Sequence, residues 1–244
     1  MKVADFIDKV YLAVNSKTLY VMGGWGYPLN ENNKARTQSN SYNQRAERKS
    51  KIYAASADTF AFDCCGLCKA VLWGWDAETD KRNGGATYAD GMPDWDAKEI
   101  MFKGCTDPST DFSSVDPGEF LWMDGHCGIY LGNGIAAEST PLWKDGVQLT
   151  AVANISDRED MHRRIWTYHG HLKYIDYSSK YPAVPFIAHN TLKGVAIRSI
   201  PYSDGKIIGY ILLGADVKIE DLQGSSGDFG KIEGYVYLPG GFDI

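Results

Sequence analysis

Cys64 stands where a helix is expected to begin, and its position suggests a specific chemistry. Apolar residues recur from Cys64 at helical spacing through Leu67, Cys68 and Val71, and Asp63 precedes them as a candidate N-cap. A helix N-terminus favours the thiolate, and its free N–H groups offer a site for the oxyanion of acyl transfer. Cys64 is therefore a candidate nucleophile. The alternative is that Cys64 and Cys68 fill a stripe of the core, as free cysteines often do.

A cysteine nucleophile needs a base, usually histidine, and a third group that orients the imidazole. We favour His126 because it opens a β-prone run directly after Asp124 and Gly125. The other histidines lie in polar or linker-like surroundings: His162, His169, His171 and His189. The alternative for His126 is a structural role at the end of a strand.

The cysteines also allow a metal interpretation, which we weigh against the nucleophile. Cys65 and Cys68 have C-x-x-C spacing, and His126 with Cys127 would complete four zinc ligands. However, the first pair would lie in a helix, and adjacent strand residues such as His126 and Cys127 face opposite ways. We therefore expect no metal and no organic cofactor.

Disulfides are not expected either. The five cysteines are an odd number in a chain of 244 residues, and adjacent Cys64 and Cys65 are poor partners for each other. This usage is typical of free thiols in a reducing compartment.

Two helices and a hairpin are predicted to position these residues. Residues 3–14 carry an amphipathic helical pattern, and a second helix starts at Cys64. Strand-like runs follow at 120–123, 126–131 and 135–140, and the Asn-Gly pair at 133–134 is a strong hairpin signal. A short helical stretch is predicted between Trp95 and Phe102.

The remaining segments suggest a long loop and a separate C-terminal region. Residues 25–57 are polar and of mixed charge, which predicts a long loop with one short helix that forms a cleft wall or a solvated insertion. From 195 to 244 we find short strands at 195–200, 207–213, 217–221 and 230–238, separated by turn residues, as in a small β-barrel.

The overall composition excludes several classes of protein. Seven Trp, fifteen Tyr and nine Phe in a chain that is 44% hydrophobic describe a folded protein and not a disordered one. The net charge of −6 argues against a nucleic-acid partner, because binding phosphates requires a basic face. No apolar run approaches the ~18 residues of a membrane span, and the first residues have no apolar signal core.

Four segments, taken in order, resemble the NlpC-type cell-wall cysteine peptidases. The segment at 62–67 (Phe-Asp-Cys-Cys-Gly-Leu) is similar to the F-D-C-S-G-L segment of that family, and the segment at 20–24 is similar to its Y-V-W-G-G segment. The segment at 116–122 resembles P-G-D-L-V-F, and the segment at 125–134 matches G-H-V-G-I-Y-L-G-N-G closely. The resemblance covers roughly residues 4–150 and implies an α+β, papain-like fold with N-terminal helices and a central antiparallel sheet.

The resemblance also implies roles for individual residues. Cys64 is the nucleophile, His126 the general base, and Glu138 stands where the family has its third polar residue, often His. Tyr20, Asp63, Cys65 and Gly125 fall in segments that line the substrate cleft, with Cys65 in place of the usual Ser. Residues 138–148, with Trp143, resemble versions found in phage and prophage lysins.

The hairpin register decides whether Glu138 can reach His126. With a three-residue loop at 132–134, residue 131 pairs with 135 and Glu138 lies on the face of His126. A two-residue Asn-Gly turn would shift the register by one and place Glu138 on the opposite face. The triad therefore requires the odd-length register.

The tail resembles the bacterial SH3-like modules that often follow such peptidases and bind cell wall. The alternative is a purely structural barrel that completes the cleft. We therefore predict a peptidase domain at 1–170, a linker at 171–194 and an SH3-like barrel at 195–244. The implied function is a phage-lysin-like endopeptidase that cuts peptidoglycan stem peptides, most often between D-glutamate and the diamino acid. We expect it to be made in the cytoplasm without a signal peptide and to reach the wall through a holin, a tail structure or lysis. The alternatives are an amidase or acyltransferase of the same fold and a non-catalytic wall-binding protein.

Overall fold

The computed structural model divides the chain into two compact units, Met1–Tyr177 and Ser178–Ile244. In the first unit it describes residues 1–132, 134–156, 158 and 161–177. In the second it describes 186–190, 195–198, 207–211, 215–219, 221–223, 229–231, 235–237 and 242–243. The described residues confirm the predicted α+β class, with helices in the first unit and sheets in both units.

The first unit contains five α-helices and ten strands among its described residues. The helices are α1 (Val3–Asn15), α2 (Glu31–Thr37), α3 (Ala46–Ala54), α4 (Cys64–Leu72) and α5 (Ala97–Glu99), which runs into a π-helical turn at Ile100–Gly104. The strands are β1 (Thr18–Tyr20), β2 (Trp25–Pro28), β3 (Phe60–Phe62), β4 (Cys105–Ser109), β5 (Phe120–Met123), β6 (His126–Gly132), β7 (Ile135–Thr140), β8 (Gly146–Val152), β9 (Arg163–Arg164) and β10 (Tyr168–Leu172).

A seven-stranded sheet forms the centre of this unit, in the order β4-β10-β5-β6-β7-β8-β9. All its neighbours are antiparallel except β8 and β9, which are parallel. Helices α1 and α4 cover it with the apolar stripes read from the sequence, and Phe6, Val10 and Val71 are fully buried. The predicted helices at 3–14 and from Cys64 are thus confirmed.

The segment at 25–57 is more ordered than predicted. Instead of a long loop with one short helix, it contributes strand β2 and helices α2 and α3, and β2 joins a second, three-stranded sheet in the order β1-β3-β2. The polar side chains that suggested a loop are partly buried and bonded to backbone, as Asn33 is to Pro28 and Arg82 carbonyls at 2.8 and 3.1 Å. Buried polar groups with such partners are stable in a folded segment.

The chain beyond residue 170 differs from the predicted linker. His171 and Leu172 belong to β10, and Val3 N–H bonds to Asp176 O at 3.0 Å, so the first unit extends to Tyr177. Within 171–194, residues 186–190 form a strand of the second unit, and 178–185 and 191–194 lie outside the described residues.

The second unit contains eight described strands. They are β11 (Phe186–Asn190), β12 (Val195–Arg198), β13 (Ile207–Ile211), β14 (Asp216–Ile219), β15 (Asp221–Gln223), β16 (Phe229–Lys231), β17 (Tyr235–Tyr237) and β18 (Phe242–Asp243). They form sheets in the orders β14-β11-β18 and β13-β12-β17-β16-β15. The run predicted as one strand at 230–238 is two strands, β16 and β17, which pair antiparallel with each other.

Within the part of the chain that the structure describes, every helix is too short or too polar to cross a bilayer.

Candidate active site

Cys64 occupies the first position of α4, and Asp63 caps the helix as its sequence position predicts. One carboxylate oxygen of Asp63 accepts the Gly66 N–H at 2.6 Å and the other accepts the Gly23 N–H at 2.8 Å. The cap therefore fixes both the start of the helix and the segment before it. The N–H of Cys64 lies in the first turn, where a helix has no internal acceptor for it, so it is available to a substrate oxyanion.

Gly66 permits a close approach beside the nucleophile. A Cβ built at Gly66 would lie 1.7 Å from the carbonyl oxygen of Gly24. The first turn of α4 can therefore pack directly against the backbone of the 23–24 segment only because residue 66 has no side chain. This contact explains why residue 66, directly after Cys64 and Cys65, is a glycine.

His126 and Glu138 meet across the β6–β7 hairpin. His126 Nε2 lies 2.6 Å from Glu138 Oε2, which leaves Nδ1 of the imidazole for Cys64. Burial opposes charging of His126, but its hydrogen bonds to Cys64 and Glu138 outweigh burial and raise its pKa above the usual value. The carboxylate thus holds the imidazole in one orientation and favours the imidazolium.

The hairpin combines the two registers that the sequence left open. At the tip Gly132 is opposite Ile135, as a two-residue turn requires, but a bulge follows between Tyr130 and Gly132. Below the bulge Tyr130 is opposite Ala136, which is the register of the three-residue loop. The extra residue in β6 therefore returns Glu138 to the face of His126. Asn133 itself lies outside the described residues.

Glu138 is fully buried and has three side-chain partners. Oε2 accepts from Arg164 Nε at 2.6 Å as well as contacting His126, and Oε1 accepts from Thr150 Oγ1 at 2.7 Å. Burial alone would raise the pKa of Glu138, but the bonds to His126 and Thr150 and the charge of Arg164 hold it below its usual value. The carboxylate is consequently ionised although it has no contact with solvent.

Two further thiols lie beside Cys64. The Sγ atoms of Cys64 and Cys65 are 3.9 Å apart, and those of Cys65 and Cys127 are 3.8 Å apart. Thiol hydrogen bonds from Cys127 and Cys65, together with His126, hold the pKa of Cys64 well below its usual range despite burial. For Cys65, the bond from Cys127 is outweighed by the neighbouring Cys64 and by burial, which raise its pKa. Cys64 is therefore the thiolate of the pair.

An open cleft of about 680 Å³ lies in front of Cys64. Tyr20, Asp63, Cys65 and Gly125, the residues expected to line a substrate cleft, all line it. Its other lining residues include both signs of charge: Met22, Lys69, Asp94, Trp95, Asp96, Ala97, Lys98, Glu99, Trp122 and Asp124. The acidic side chains of this lining outnumber its two lysines, Lys69 and Lys98.

Tyr20 and Asp63 are ionisable groups of the cleft, and the pKa of each is raised. Burial is the main cause that raises the pKa of Tyr20, so its phenol is a neutral donor and acceptor. Burial, followed by the charge on Cys64, raises the pKa of Asp63 to about 6. Asp63 therefore binds a proton more readily than an exposed carboxylate would.

The segment at 25–57 supports the wall of the cleft that carries Tyr20. Arg48 donates to the Tyr20 carbonyl at 3.0 Å and forms a two-bond ion pair with Asp145. Asn43 accepts from Met22 N–H at 3.1 Å and donates to Met22 O at 2.9 Å. The additional helices thus fix the backbone at 20–22 from behind.

Metal ligands do not assemble as the zinc hypothesis required. Among the described residues, three sulfur atoms converge within 4.8 Å at Cys64, Cys65 and Cys127, and buried Cys68 is not one of them. A second group, Asp116, Glu119 and His171, is accounted for by contacts of 3.1 and 3.2 Å from His171 Nε2 to the two carboxylates.

The structure brings together Cys64, His126 and Glu138, as the sequence predicted, but sequence reasoning missed several of their neighbours. Thr150 and Arg164 were not considered, and Cys127 was considered only as a zinc ligand. The ring of Trp166 stacks on His126 with 5.7 Å between centroids and 13° between planes. The sequence offered only a weak signal for these neighbours, which was the polar residue Thr150 at an inward-facing position of a strand.

The comparisons with known proteins add little to this geometry. No family model matches the chain, and no curated protein matches it. Among solved structures, the crystal structure of Ly7917 aligns with a TM-score of 0.33 and 14% identity, over 97% of this chain and 92% of that one. The crystal structure of Ly7917 with the hydrolyzing product of MDP aligns with a TM-score of 0.32 and 13% identity, over 97% and 93%. These scores are too low to assign a common fold.

Proposed function

We propose that this protein is a cysteine endopeptidase of the NlpC type, with a papain-like catalytic unit, that hydrolyses an amide bond in peptidoglycan stem peptides. One observation carries the proposal. Cys64, at a capped helix N-terminus, hydrogen-bonds to an imidazole whose Nε2 lies 2.6 Å from a buried carboxylate. Nucleophile, base and orienting group are thus arranged as acyl transfer requires.

The residues act in a definite order. The Cys64 thiolate attacks the carbonyl carbon, and the N–H of Cys64 stabilises the oxyanion. His126, protonated at Nδ1, donates that proton to the leaving amine and then accepts one from the water that hydrolyses the thioester. Glu138 orients the ring and stabilises its positive charge. No step needs a metal ion or an organic cofactor.

The cleft supports a stem peptide as the substrate. Such a peptide carries carboxylates and, at its diamino acid, an amine, and the wall at 94–99 together with Lys69 presents both charges. We propose that the bond cut joins D-glutamate to the diamino acid. For the second unit we propose an SH3-like fold and a cell-wall-binding role.

Mass spectrometry of muropeptides released from purified sacculi tests this function. We expect new amino termini on the diamino acid, and none from the Cys64→Ser variant. Cleavage of a different amide or transfer to an added amine would favour an amidase or acyltransferase. A third outcome is protein that sediments with sacculi but releases no amino groups, although its Cys64 is alkylated rapidly. This result would contradict the peptidase and favour a wall-binding role.

A further inference from the structure

The cysteines around the nucleophile are more numerous than hydrolysis needs. Acyl transfer uses one sulfur, Cys64, whereas Cys65 and Cys127 place two further sulfurs so that all three lie within 4.8 Å of one another. The chain has five cysteines, and the structure describes all of them as free thiols. Cys68 and Cys105 are also buried but are not members of this cluster.

The three sulfurs of the cluster differ in access. Cys64 and Cys65 line the open cleft and are partly buried, whereas Cys127 is fully buried. A small oxidant that enters the cleft therefore reaches the first two sulfurs, and of these Cys64 is the one that hydrogen-bonds to His126. Hydroperoxides oxidise a thiolate at this position to a sulfenic acid. A neighbouring thiol can convert the sulfenic acid to a disulfide, whereas further oxidation to sulfinic acid is irreversible.

Cys127 is the better placed of the two possible partners. Cys64 and Cys65 are consecutive in the first turn of α4, where neighbouring Cα atoms are ~3.8 Å apart, less than the ~4.4–6.8 Å that a disulfide requires. Cys127 approaches from β6, a different element, which allows the side chains to face each other. Closing this bond does not require the helix to unwind.

We propose that Cys64 and Cys127 are a site of reversible oxidation by hydroperoxides. The oxidised state is a disulfide between them, which protects Cys64 from irreversible oxidation. First, the Cys64 sulfur attacks the peroxide. An S–O bond forms, the O–O bond breaks, and the departing oxygen leaves as water or an alcohol after taking up a proton.

In the second step, the Cys127 sulfur attacks the sulfenic acid at Cys64. An S–S bond forms, the S–O bond breaks, and the hydroxyl group leaves as water with the thiol proton of Cys127. The two thiols together lose two electrons, which the peroxide gains. A dithiol reductant reverses the change by thiol–disulfide exchange.

The test treats the full chain with a small excess of hydrogen peroxide, alkylates the remaining thiols and maps the peptides by mass spectrometry. We expect two of the five cysteines to become protected from alkylation and the peptides of Cys64 and Cys127 to be linked. Dithiothreitol should then restore both thiols. This readout depends on a reactive Cys64 and not on peptide hydrolysis, so it is independent of the proposed function.

Cys127→Ala is the decisive variant, with Cys105→Ala as the matched control at a buried cysteine outside the cluster. Cys127→Ala should accumulate Cys64 with two added oxygens, which dithiothreitol does not remove, whereas Cys105→Ala should behave as the wild type. A Cys64–Cys65 link in the wild type, or direct passage of its Cys64 to sulfinic acid, would overturn the proposal. The wild-type map decides this even where Cys127→Ala fails to fold.

Discussion

Arg164 donates its Nε–H to Oε2 of Glu138 over 2.6 Å, and this oxygen is the one that also contacts the imidazole of His126. A buried carboxylate without a positive neighbour would take up a proton and cease to stabilise an imidazolium. The contacts with His126 and Thr150 oppose this and the guanidinium adds to them, and its Nη2 also reaches Thr140 Oγ1 at 3.2 Å, which fixes its orientation. The proposed orienting group is therefore a carboxylate with a cation beside it.

Glu138→Ala should lower kcat by about 10²-fold or more and change KM less, because the orienting carboxylate acts mainly on the imidazolium formed during catalysis. Glu138→Gln should be milder, since its amide oxygen still accepts from the imidazole and Arg164. Steady-state kinetics on a defined muropeptide measures both. Unchanged turnover in Glu138→Ala would mean that another group orients His126.

The pH profile should report the charge on His126. Its raised pKa means that the imidazolium persists to higher pH than in a free histidine and is lost as the pH rises through that pKa. Glu138→Gln removes a negative charge that favours the imidazolium, so the alkaline limb of kcat/KM should move to lower pH. An alkaline limb that stays in place or moves upward would contradict this electrostatic role of Glu138.

Alkylation should distinguish the two adjacent thiols. At a pH near 6, iodoacetamide should label Cys64 before Cys65, because the pKa of Cys64 is lowered and that of Cys65 is raised. Cys64→Ser should lose nearly all hydrolysis, since an alkoxide forms far less readily than a thiolate, whereas Cys65→Ser should keep most of it. Preferential labelling of Cys65, with an active Cys64→Ser variant, would reverse the assignment.

Removal of metal should leave turnover unchanged. The proposed mechanism uses Cys64, His126 and Glu138 directly, so dialysis against EDTA should have no effect, whereas iodoacetamide should abolish activity. The assay is release of amino groups from sacculi before and after each treatment. Loss of activity in EDTA that added zinc restores would contradict the thiol mechanism.

Arg48→Ala should destabilise the protein by ~1.5–3 kcal/mol, because it breaks the buried ion pair with Asp145 and leaves that carboxylate with only its second, more exposed ion pair to Lys51. KM should also rise, because Arg48 holds the Tyr20 carbonyl behind the cleft. The matched control is Lys17→Ala, which removes an exposed ion pair with Asp58 and should lower the free energy of unfolding far less. Urea denaturation compares the two variants, and equal losses would show that the buried pair has no special role.

Local patterns predicted the elements that carry the triad. The start of α4 followed from Asp63 and the apolar spacing after Cys64, and β5, β6 and β7 followed from β-prone runs around the Asn-Gly signal. These features depend on interactions between residues near one another in the sequence. Helix caps and hairpins are therefore the part of this site that a single sequence indicates best.

The features that sequence reasoning missed depend on contacts between distant residues. Arg164 reaches Glu138 because β9 pairs with β8, and no local pattern around residues 163–164 specifies that pairing. In the segment at 25–57 only one short helix was expected in place of α2 and α3, because polar side chains such as Arg48 in α3 and Asn43 between the helices are satisfied by backbone groups of the 20–22 segment. The bulge in β6 was missed because Asn-Gly predicts the turn and not the register below it.

The pairing of β9 with β8 has a consequence for biosynthesis. Translation delivers Cys64, His126 and Glu138 before Arg164, so a growing chain contains these three residues without the guanidinium that donates to the carboxylate. The ribosome must therefore release the chain past β9 before the complete charge arrangement can assemble. A fragment that ends ahead of Arg164 would retain every triad residue and still lack the cation that supports them.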